Sequence, residues 1–408
     1  MDAETTRTQE SDTPAAECVG APEKLDCRAV LTHHWLVRRR GGERVLEALA
    51  ALLPDCPVYT LVHDPDGFTP SPAANRESKP ADVLVAEQQV WGVAAHPVHT
   101  SCLQKIPGAK RHYPKLLPFM PLAARRMHLP PADLAVCSDA AFAKAMTPDP
   151  STRLVCYCHS PARYVWDLAE VYGATLPAAL RPFWPRLVRR LREADRRAAQ
   201  RVDQFVANSR HVAERIKRHY GRESVVVHPP VELPATPHEG LREDFYLCAG
   251  QHVHYKRLDL AVEACRKLKR KLLVIGEGPD VERYRGLNDP NIRFVGWLSG
   301  AEVQQYYRRA RGLLFPGEED FGIVPVEALA HGCPVICYGV GGATESVEHG
   351  VGGVWFERQE IDCVVDAIER SERLEYDPAA MFAQAQRFGY GRFYAEMRAV
   401  LREAMGSK

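Results

Sequence analysis

Short apolar stretches that end in polar residues recur along this chain, and they predict buried β-strands. The first is CRAVLTHHW at 27–35, and others are VYTLVH (58–63), LVCYCHS (154–160) and QFVANSR (204–210). Apolar runs of this length are typical of strands in a parallel sheet that is covered on both faces. Gly41 and Gly42 follow the first strand and precede an apolar-faced helix, so the chain starts with a strand, a glycine turn and a helix.

The second half of the chain repeats this alternation. Strand-like runs occur at 245–250, 271–278, 291–297, 311–317 and 333–339, and a helix is predicted from about Leu258 to Leu268. Alternating strands and helices predict an α/β fold with a largely parallel sheet. The Pro-rich segment HPPVELPATPHEG (228–240) separates the two sets. We therefore expect two doubly wound domains with a cleft between them, where ligands bind at the carboxyl ends of the strands.

These features divide the chain into five segments. Residues 1–26 are polar and acidic and predict a disordered tail. We expect an N-terminal, acceptor-side Rossmann-like domain over 27–230, a linker over 231–243 and a C-terminal, ligand-binding Rossmann-like domain over 244–385. The last segment, 386–408, is expected to form a helix that packs back on the N-terminal domain.

Composition and charge are typical of a soluble globular protein. The 408 residues include 53 Lys or Arg and 52 Asp or Glu, which argues against a nucleic-acid-binding protein. The 12 cysteines include no C-x-x-C pair, so we expect reduced, buried thiols rather than disulfides. The sequence shows no secretory signal and no apolar run of the roughly 18 residues that a membrane span needs. A cytoplasmic location is therefore expected.

Two basic segments suggest peripheral contact with the inner face of a membrane. Residues 180–201 carry eight arginines and two acids, with Phe183, Trp184 and Leu187 among the interleaved apolar residues. The segment 105–129 is also basic. A solvated helix face is the commoner outcome of such a pattern. Arginines beside aromatic side chains are also typical of helices that rest on anionic lipid, so both interpretations stay open.

The stretch FPGEEDFGIVPVEALAHGCPVI (315–336) places carboxylates on both sides of a predicted helix start. A strand and the loop GEED are expected first, then a helix from near Gly322 to Ala330. Glu319 and Glu327 are eight residues apart, or roughly 12 Å along a helix. This distance is too long for a shared proton, and it exceeds the spacing of the two carboxyls in glycosidases.

A nucleotide sugar would fit this arrangement. The free N–H groups at a helix start favour phosphate. Sugar hydroxyls could then reach Glu319 while ribose hydroxyls reach Glu327, with the diphosphate between them. The plainer alternative is that these acids only stabilise the helix dipole.

Five motifs occur in a consistent order along the chain. They are RRRGGERVLEAL, YCHSPARYVWD, VANSRHVAERI, VHPPVE, and EDFGIVPVEALAHGCPVI followed by GGATESVEHGVGGVWF. Together they resemble the motifs of retaining glycosyltransferases of family 4, including the family's Glu pair at Glu319 and Glu327, and the resemblance runs from about Ala29 to Phe356. It implies a GT-B fold, in which two Rossmann-like domains face each other across the active-site cleft, and metal-independent sugar transfer with retention of configuration.

The resemblance also implies roles for individual residues. Glu319 would bind the transferred sugar, and Glu327 the ribose. Lys256 would contact the diphosphate, with Arg257 beside it, and His159 matches the family histidine that faces the donor sugar near the acceptor. Glu319, His159 and Lys256 form the implied catalytic set.

Glycines are expected to line the rest of the site. Gly41 and Gly42 would let the first-domain backbone approach phosphate or acceptor closely, as a side chain could not. Gly322 marks the predicted helix start at the diphosphate. Gly276-x-Gly278 lacks the third glycine of a dinucleotide fingerprint, so it favours a loop that shapes the nucleotide site over an NAD site.

Ser209 and Gln251 are less clear-cut members of the predicted site. Ser209 would serve either in the site or as the N-cap of a helix. Many family members have Arg five residues before the lysine, where this chain has Gln251, whose amide can hydrogen-bond a phosphate but cannot neutralise it. Activity would then depend more on Lys256 and Arg257, or the chain would be a catalytically silent GT-B protein that binds a glycan or a partner. An epimerase would need flanking acid and base residues that the sequence does not show.

The motifs RRRGGERVLE and YCHSPARYVWD most resemble those of bacterial polysaccharide mannosyltransferases. This resemblance implies GDP-mannose as the first donor candidate and a saccharide or lipid-linked saccharide as the acceptor, although a UDP-sugar would use the same glutamates. Asp64-Pro-Asp66 is formally a D-x-D metal motif but is more typical of a turn. His33-His34 lacks a third metal ligand and is more typical of a strand end near the cleft. We expect neither a metal nor another cofactor.

Overall fold

Two parallel β-sheets form the framework of the protein. The computed structural model describes residues 22–53, 55–67, 96–284 and 286–406, so residues 1–21 of the predicted tail lie outside the described residues. Every strand pair in both sheets is parallel. The predicted architecture of two doubly wound α/β domains is confirmed.

The described part of the first sheet has the strand order β3-β2-β1-β4-β5-β6-β7. Its strands are Ala29–His33 (β1), Val58–Thr60 (β2), Val98–Thr100 (β3), Leu134–Asp139 (β4), Arg153–Cys158 (β5), Gln204–Ala207 (β6) and Val225–Val226 (β7). The chain reverses direction across the sheet between β1 and β4, and ligands of doubly wound sheets bind at such a reversal.

The second sheet has the order β10-β9-β8-β11-β12-β13, with its reversal between β8 and β11. Its strands are Tyr246–Ala249 (β8), Leu272–Ile275 (β9), Ile292–Gly296 (β10), Gly312–Phe315 (β11), Val335–Tyr338 (β12) and Gly353–Phe356 (β13). All five strand-like runs predicted for this half contain one of these strands.

Helices connect the strands of both sheets. In the described residues of the first half they are Gly41–Leu52 (α1), Ala109–His112 (α2), Met120–Arg125 (α3), Ala169–Ala174 (α4), Trp184–Ala199 (α5) and Arg210–Tyr220 (α6). The second half contains Leu258–Leu268 (α7), Pro279–Tyr284 (α8), Gly300–Arg309 (α9), Ile323–Ala330 (α10), Ala343–Ser346 (α11), Ile361–Glu372 (α12), Pro378–Gln386 (α13) and Tyr390–Gly406 (α14). None of the described helices is both long enough and apolar enough to cross a membrane.

Strand β4 occupies the centre of the first sheet, yet the apolar pattern did not predict it. It pairs with β1 on one side and β5 on the other. Its sequence LAVCSD contains mainly small residues rather than the β-branched and aromatic residues that favour strands. All six residues are buried, so its place between two strands, and not its intrinsic propensity, stabilises it.

Side chains of each sheet alternate between two hydrophobic cores. In the first sheet, Leu31 and Val136 contribute to one core, whereas Val30 and Cys137 contribute to the other. The second sheet is divided in the same way. This alternation follows from the two-residue repeat of a strand and explains why the strands are apolar on both faces.

The C-terminal helices belong to different halves of the molecule. Helix α13 packs against α10. After α13, the carbonyl of Phe388 accepts a 2.8 Å hydrogen bond from the N–H of Val231, in the segment that joins the two halves. Helix α14 packs on α1 and contributes Phe393, Met397 and Leu401 to a core of the first sheet. The last helix therefore joins the two halves.

Candidate active site

A row of polar side chains crosses the carboxyl ends of three neighbouring strands in the N-terminal half. His33 is the last residue of β1, Ser138 lies near the end of β4, and His159 follows β5. The Ser138 hydroxyl oxygen is 3.0 Å from Nδ1 of His33 and 2.8 Å from Nε2 of His159. Glu43, in the first turn of α1, has Oε1 3.7 Å from Nε2 of His33. We call Glu43, His33, Ser138 and His159 the polar row; His159 is its partly exposed end.

The histidines at this edge are neutral. Burial, followed by the neighbouring His33 and His34, lowers the pKa of His159 to about 3. Burial also lowers the pKa of His33 to about 4 and that of His34 to about 3. At neutral pH each ring therefore has one nitrogen that donates a hydrogen bond and one that accepts.

The facing edge of the C-terminal half carries the carboxylates that the sequence singled out. Lys256 and Glu319 form an ion pair with an N–O distance of 2.9 Å. They lie beyond β8 and β11, the two strands at which the strand order reverses. Gly322 has a φ of 84° and precedes α10. A carboxylate, an ammonium group and the unpaired N–H groups of a helix start are thus present on neighbouring loops.

Glu327 is bound by an arginine of the opposite domain. Nη1 of Arg44 donates a 3.0 Å hydrogen bond to its Oε1, and the Tyr307 hydroxyl donates a 3.4 Å hydrogen bond to its Oε2. Burial raises the pKa of Glu327, and Arg44 opposes this shift. A Cβ added to Gly41 would lie 2.9 Å from Cδ1 of Ile323. Gly41 and Gly42, predicted as a turn, form the first turn of α1, which therefore lies directly against the start of α10.

Asp320 is a second point at which the two domains meet. Nε of Arg163 lies 2.9 Å from its Oδ2, and Arg215 pairs with its Oδ1. Burial raises the pKa of Asp320, but these two guanidinium groups outweigh burial and bring that pKa below its usual value. The Ser209 hydroxyl caps α6 and donates a hydrogen bond to the Asp320 carbonyl. Arg163 also lies over the ring of Tyr255, 4.8 Å from its centre.

Glu345, in the GGATES motif, forms a third contact between the domains. Its carboxylate accepts hydrogen bonds of 3.0 and 3.1 Å from the N–H groups of Arg210 and His211, at the start of α6. Nε2 of His228, in the chain between the domains, lies 2.9 Å from the same carboxylate. A carboxylate at a helix N-terminus satisfies free N–H groups and complements the helix dipole.

The glycines of the G-x-G motif permit two loops to touch. Gly276 has a φ of 113°, and a Cβ there would lie 1.9 Å from the carbonyl oxygen of Gly250. A Cβ on Gly278 would lie 2.0 Å from the carbonyl oxygen of His252. Both positions lie in the loop after β9, against the loop after β8 that leads to Lys256. The motif is therefore explained by loop packing beside the site.

The two residues predicted beside Lys256 have different surroundings. Arg257 has a φ of 53°, and its guanidinium binds the Asp259 carboxylate at 2.9 to 3.2 Å and Gln359 at 3.3 Å. Gln251 is exposed in the loop after β8. The charge of Arg257 is thus already paired with that of Asp259.

Two features that resemble metal ligands have structural partners. Among the described residues, Cys137, Asp139 and Cys156 have donor atoms within 4.8 Å of one another. Asp139, however, binds Lys144 at 2.9 Å and two backbone N–H groups, and burial raises the pKa of Cys156 and keeps it a thiol. Asp64 pairs with an ammonium group at 3.0 Å beside a short helical turn. Both features are accounted for without an ion.

The structure brings the predicted site residues to the facing edges of the two sheets. They lie in carboxyl-end loops or in the helices that follow, and they are Gly41, Gly42, His159 and Ser209 on one side and Gln251, Lys256, Arg257, Gly276, Glu319, Gly322 and Glu327 on the other. A Cβ on Gly42 would lie 3.7 Å from Nε2 of His159. Their individual roles remain predictions.

Sequence reasoning missed several residues that contact this set or its immediate neighbours. Arg44 and Glu43 belong to the motif RRRGGERVLEAL, and Arg163 belongs to YCHSPARYVWD, so the motifs contained their positions. Each of these three is a charged residue within a motif that follows a predicted strand, and this feature could have identified it as a candidate site residue. Ser138 had no such feature, because the strand that carries it was not predicted.

Two family models match consecutive parts of the chain. The model described as Glycosyltransferase Family 4 matches residues 39–233, and the model described as Glycosyl transferases group 1 matches residues 234–388. The boundary between the two matches falls within the predicted linker.

Curated relatives match parts of the chain. An uncharacterized glycosyltransferase of Methanocaldococcus jannaschii is 29% identical over 141 residues, which are 31% of this chain and 35% of the relative. The D-inositol 3-phosphate glycosyltransferase of Streptomyces bingchenggensis is 29% identical over 247 residues, covering 50% of this chain and 53% of the relative. A GDP-mannose-dependent alpha-(1-6)-phosphatidylinositol monomannoside mannosyltransferase of Mycobacterium tuberculosis is 30% identical over 141 residues, with coverages of 30% and 36%. The chain thus spans between about a third and about a half of the length of these relatives.

Solved structures match almost the whole chain. Sucrose-phosphate synthase of Thermosynechococcus elongatus has a TM-score of 0.64 at 16% identity and covers 93% of this chain and 100% of its own. An Anabaena protein in complex with UDP-glucose has a TM-score of 0.57 at 16% identity, with coverages of 92% and 99%. At such identities the likeness establishes the fold alone, and it confirms the fold that the motifs implied.

Proposed function

We propose that this chain transfers a hexose from a nucleotide diphosphate sugar to a saccharide or lipid-linked saccharide. The GT-B fold and the matches of residues 39–233 and 234–388 to two glycosyltransferase family models support the proposal. The transfer retains the anomeric configuration and requires no metal ion. One observation carries the proposal. Lys256 and Glu319 pair at 2.9 Å beside the start of α10, on the edge that faces the N-terminal domain.

The C-terminal domain stabilises the leaving group. Negative charge grows on the nucleoside diphosphate as its bond to the sugar breaks, and Lys256 and the first N–H groups of α10 are placed to stabilise that charge. Glu319 accepts hydrogen bonds from the sugar hydroxyls, and Glu327 from the ribose. Arg163 reaches Asp320 from the opposite domain and lies over Tyr255.

The N-terminal domain positions the sugar and the acceptor. Gly42 leaves room beside the ring of His159, whose neutral imidazole hydrogen-bonds a hydroxyl group of the ligand, and Gly41 lets the start of α1 approach Ile323 closely. The acceptor oxygen forms a bond to the anomeric carbon on the face that the diphosphate leaves. The proton of the acceptor hydroxyl passes to the departing phosphate oxygen. This course retains the configuration and requires no protein nucleophile.

GDP-mannose is the first donor candidate. The motifs around Gly41 and His159 resemble those of bacterial polysaccharide mannosyltransferases, and one relative, at 30% identity over 141 residues, is named as GDP-mannose-dependent. A structural neighbour is bound to UDP-glucose, and the same two glutamates would hold the ribose and the sugar of either donor. The donor base must therefore be measured.

The first test is a thermal-shift screen against GDP, UDP, ADP and their sugars, since a ligand that binds the native state raises its melting temperature. Transfer to an acceptor panel is then followed by NMR, which reports the configuration of the product. A product of the same anomeric configuration as the donor, formed equally fast with EDTA, supports the proposal. An inverted product overturns the retaining mechanism. Donor binding without turnover would support the catalytically silent alternative.

We propose in addition that the N-terminal domain contacts an anionic membrane. The two basic segments come together in the structure, because α3 packs against α5. No acidic residue occurs in 101–132 or in 171–192. Exposed apolar side chains lie among the basic residues, with 40 to 64% of their surface accessible, and they are Ile106, Phe119, Leu122, Leu180 and Phe183. We call the two basic segments, 105–129 and 180–201, the basic surface.

The basic surface adjoins the acceptor side of the site. The ring of Tyr113, from the first basic segment, lies 4.9 Å from that of Trp35, which in turn contacts His34 at 4.4 Å. Positive charge attracts anionic headgroups, and exposed aromatic side chains enter the interface. An acceptor carried on a lipid would then reach the polar row from the bilayer.

Vesicle sedimentation tests the membrane contact. The protein should bind vesicles that contain anionic phosphatidylglycerol and not vesicles of phosphatidylcholine alone. The double variant Phe119→Ser/Phe183→Ser should bind the anionic vesicles more weakly than Leu241→Ser, which changes an exposed apolar residue elsewhere. Equal binding to both vesicle types, or equal binding by the two variants, would overturn the proposed surface.

A further inference from the structure

The hydroxyl of Ser138 couples two histidines of the polar row. It has a single proton, and it lies within hydrogen-bond distance of Nδ1 of His33 and of Nε2 of His159. It can therefore donate to only one of the two rings, so at least one ring must donate to it. When Nδ1 of His33 accepts the Ser138 proton, Nε2 of His159 must carry a proton of its own.

The backbone holds His159 in place for this contact. Its N–H donates a 2.8 Å hydrogen bond to the carbonyl of Asp139, and its carbonyl accepts a 2.9 Å hydrogen bond from the amide of Asn208. No described residue hydrogen-bonds its other ring nitrogen, Nδ1. The ring is thus fixed on one side and available for a ligand at Nδ1.

Glu43 biases the other end of the row. Nε2 of His33 is fully buried without a hydrogen-bond partner among the described residues, and Oε1 of Glu43 lies 3.7 Å from it. The other oxygen, Oε2, accepts a 3.0 Å hydrogen bond from the N–H of Arg40. Burial raises the pKa of Glu43, and the backbone N–H groups of Glu43 and Arg40 oppose this shift. In its charged form the carboxylate beside Nε2 favours a proton on that nitrogen over a lone pair.

The proton position on His33 affects His159 through Ser138. With its proton on Nε2, His33 accepts at Nδ1 from the Ser138 hydroxyl. Ser138 then accepts from Nε2–H of His159. We propose that Glu43, His33 and Ser138 are positioning residues that hold His159 in its Nε2–H form, so that Nδ1 accepts a hydrogen bond from a substrate hydroxyl. The use of Nδ1 rests on the proposed function, whereas the proton positions do not.

Replacement of Glu43 by Gln should exchange the proton-bearing nitrogens of His33 and His159. The N–H of Arg40 requires an acceptor at the Oε2 position, so the glutamine oxygen takes that place and its NH₂ group faces Nε2 of His33. His33 must then accept at Nε2 and donate from Nδ1. The Ser138 hydroxyl is then free to donate to Nε2 of His159, and we expect the proton of that ring on Nδ1.

Long-range ¹H–¹⁵N correlation spectra of protein labelled with ¹⁵N-histidine test this directly, because the two tautomers give different nitrogen shifts. The His159 signals are assigned by their loss in His159→Gln. We expect Nε2–H in the parent protein, Nδ1–H in Glu43→Gln and a mixture in Ser138→Ala. Glu47→Gln is the control, since Glu47 is buried on the same helix and binds Arg39 instead. It should leave the His159 signals unchanged.

The same tautomer of His159 in the parent protein and in Glu43→Gln would overturn the inference, as would Nδ1–H in the parent protein. These spectra need no substrate, so they can fail while sugar transfer is observed, or succeed while it is not. If both proposals hold, Glu43→Gln should lower kcat about tenfold or more with little change in the donor KM, because it alters a contact to the reacting groups and not donor binding.

Discussion

The replacement of Glu327 by Gln tests the proposed donor site most directly. Glutamine keeps the size of the side chain and one acceptor oxygen, but it removes the negative charge that faces Arg44 at 3.0 Å and Tyr307 at 3.4 Å. In the proposed complex the same carboxylate accepts hydrogen bonds from the ribose hydroxyls. The substitution therefore weakens a ligand contact and an interdomain ion pair together.

The two contributions differ in size. A hydrogen bond to a charged group contributes about 1.5 to 3 kcal/mol, against about 0.5 to 1.5 kcal/mol for a neutral pair. For two ribose hydroxyls the loss is about 2 kcal/mol, which corresponds to a roughly 30-fold higher Kd. The ion pair with Arg44 contributes about 1 kcal/mol or less, because 35% of the Arg44 side chain is exposed to solvent.

Titration calorimetry with GDP and UDP measures the effect, and Arg44→Gln is the matched control. That variant breaks the same ion pair but leaves the carboxylate, so its Kd should rise by less than about fivefold. A Glu327→Gln Kd within about threefold of the parent value would remove Glu327 from the donor site. Equal weakening in both variants would show that the ion pair, and not a ribose contact, is responsible.

Three further predictions follow from the same structure. Lys256→Met should lower kcat about 100-fold in steady-state assays by removing a charge that stabilises the leaving group. The control Lys267→Met breaks an exposed pair with Asp362 and should leave kcat unchanged. Equal rates for the two variants would contradict a role of Lys256 at the leaving group. Gly276→Ala should lower the free energy of unfolding by about 2 kcal/mol or more in urea titrations, because φ is 113° and a Cβ would meet the Gly250 carbonyl. Gly391→Ala, at an open helical position, should cost nothing, and equal losses would be inconsistent with this explanation. Burial, and then His33, lowers the pKa of His34 to about 3. Below about pH 6.5 the unfolded chain therefore binds a proton at His34 that the folded chain does not bind. For this reason the free energy of unfolding should fall by about 1 kcal/mol between about pH 7.5 and 5.5. His34→Gln should remove that part of the pH dependence, and an unchanged dependence would show that His34 titrates normally.

The secondary structure of the C-terminal half was largely predictable from local pattern. The predicted helix from about Leu258 to Leu268 is observed with these bounds, and the helix expected from near Gly322 to Ala330 begins at Ile323 and ends at Ala330. Apolar periodicity and glycine ends are local properties, so the sequence alone contains them. Strand β4 was missed although LAVC is a short apolar run that ends in polar residues, because Val136 is its only β-branched residue. The two flanking strands stabilise its conformation.

The candidate site also contains residues that local sequence pattern predicted and residues that only the tertiary structure brings together. The motifs identified Glu319, Glu327, Lys256 and His159, because each lies at a strand end or a helix start that local pattern reveals. The partners of these residues come from distant parts of the chain, as Arg44 does for Glu327 at a separation of 283 residues. Ser138 joins two histidines only because β4 lies between β1 and β5. Periodicity specifies which faces are buried and which ends are polar, whereas the order of strands and the closure of the domains determine which polar ends meet.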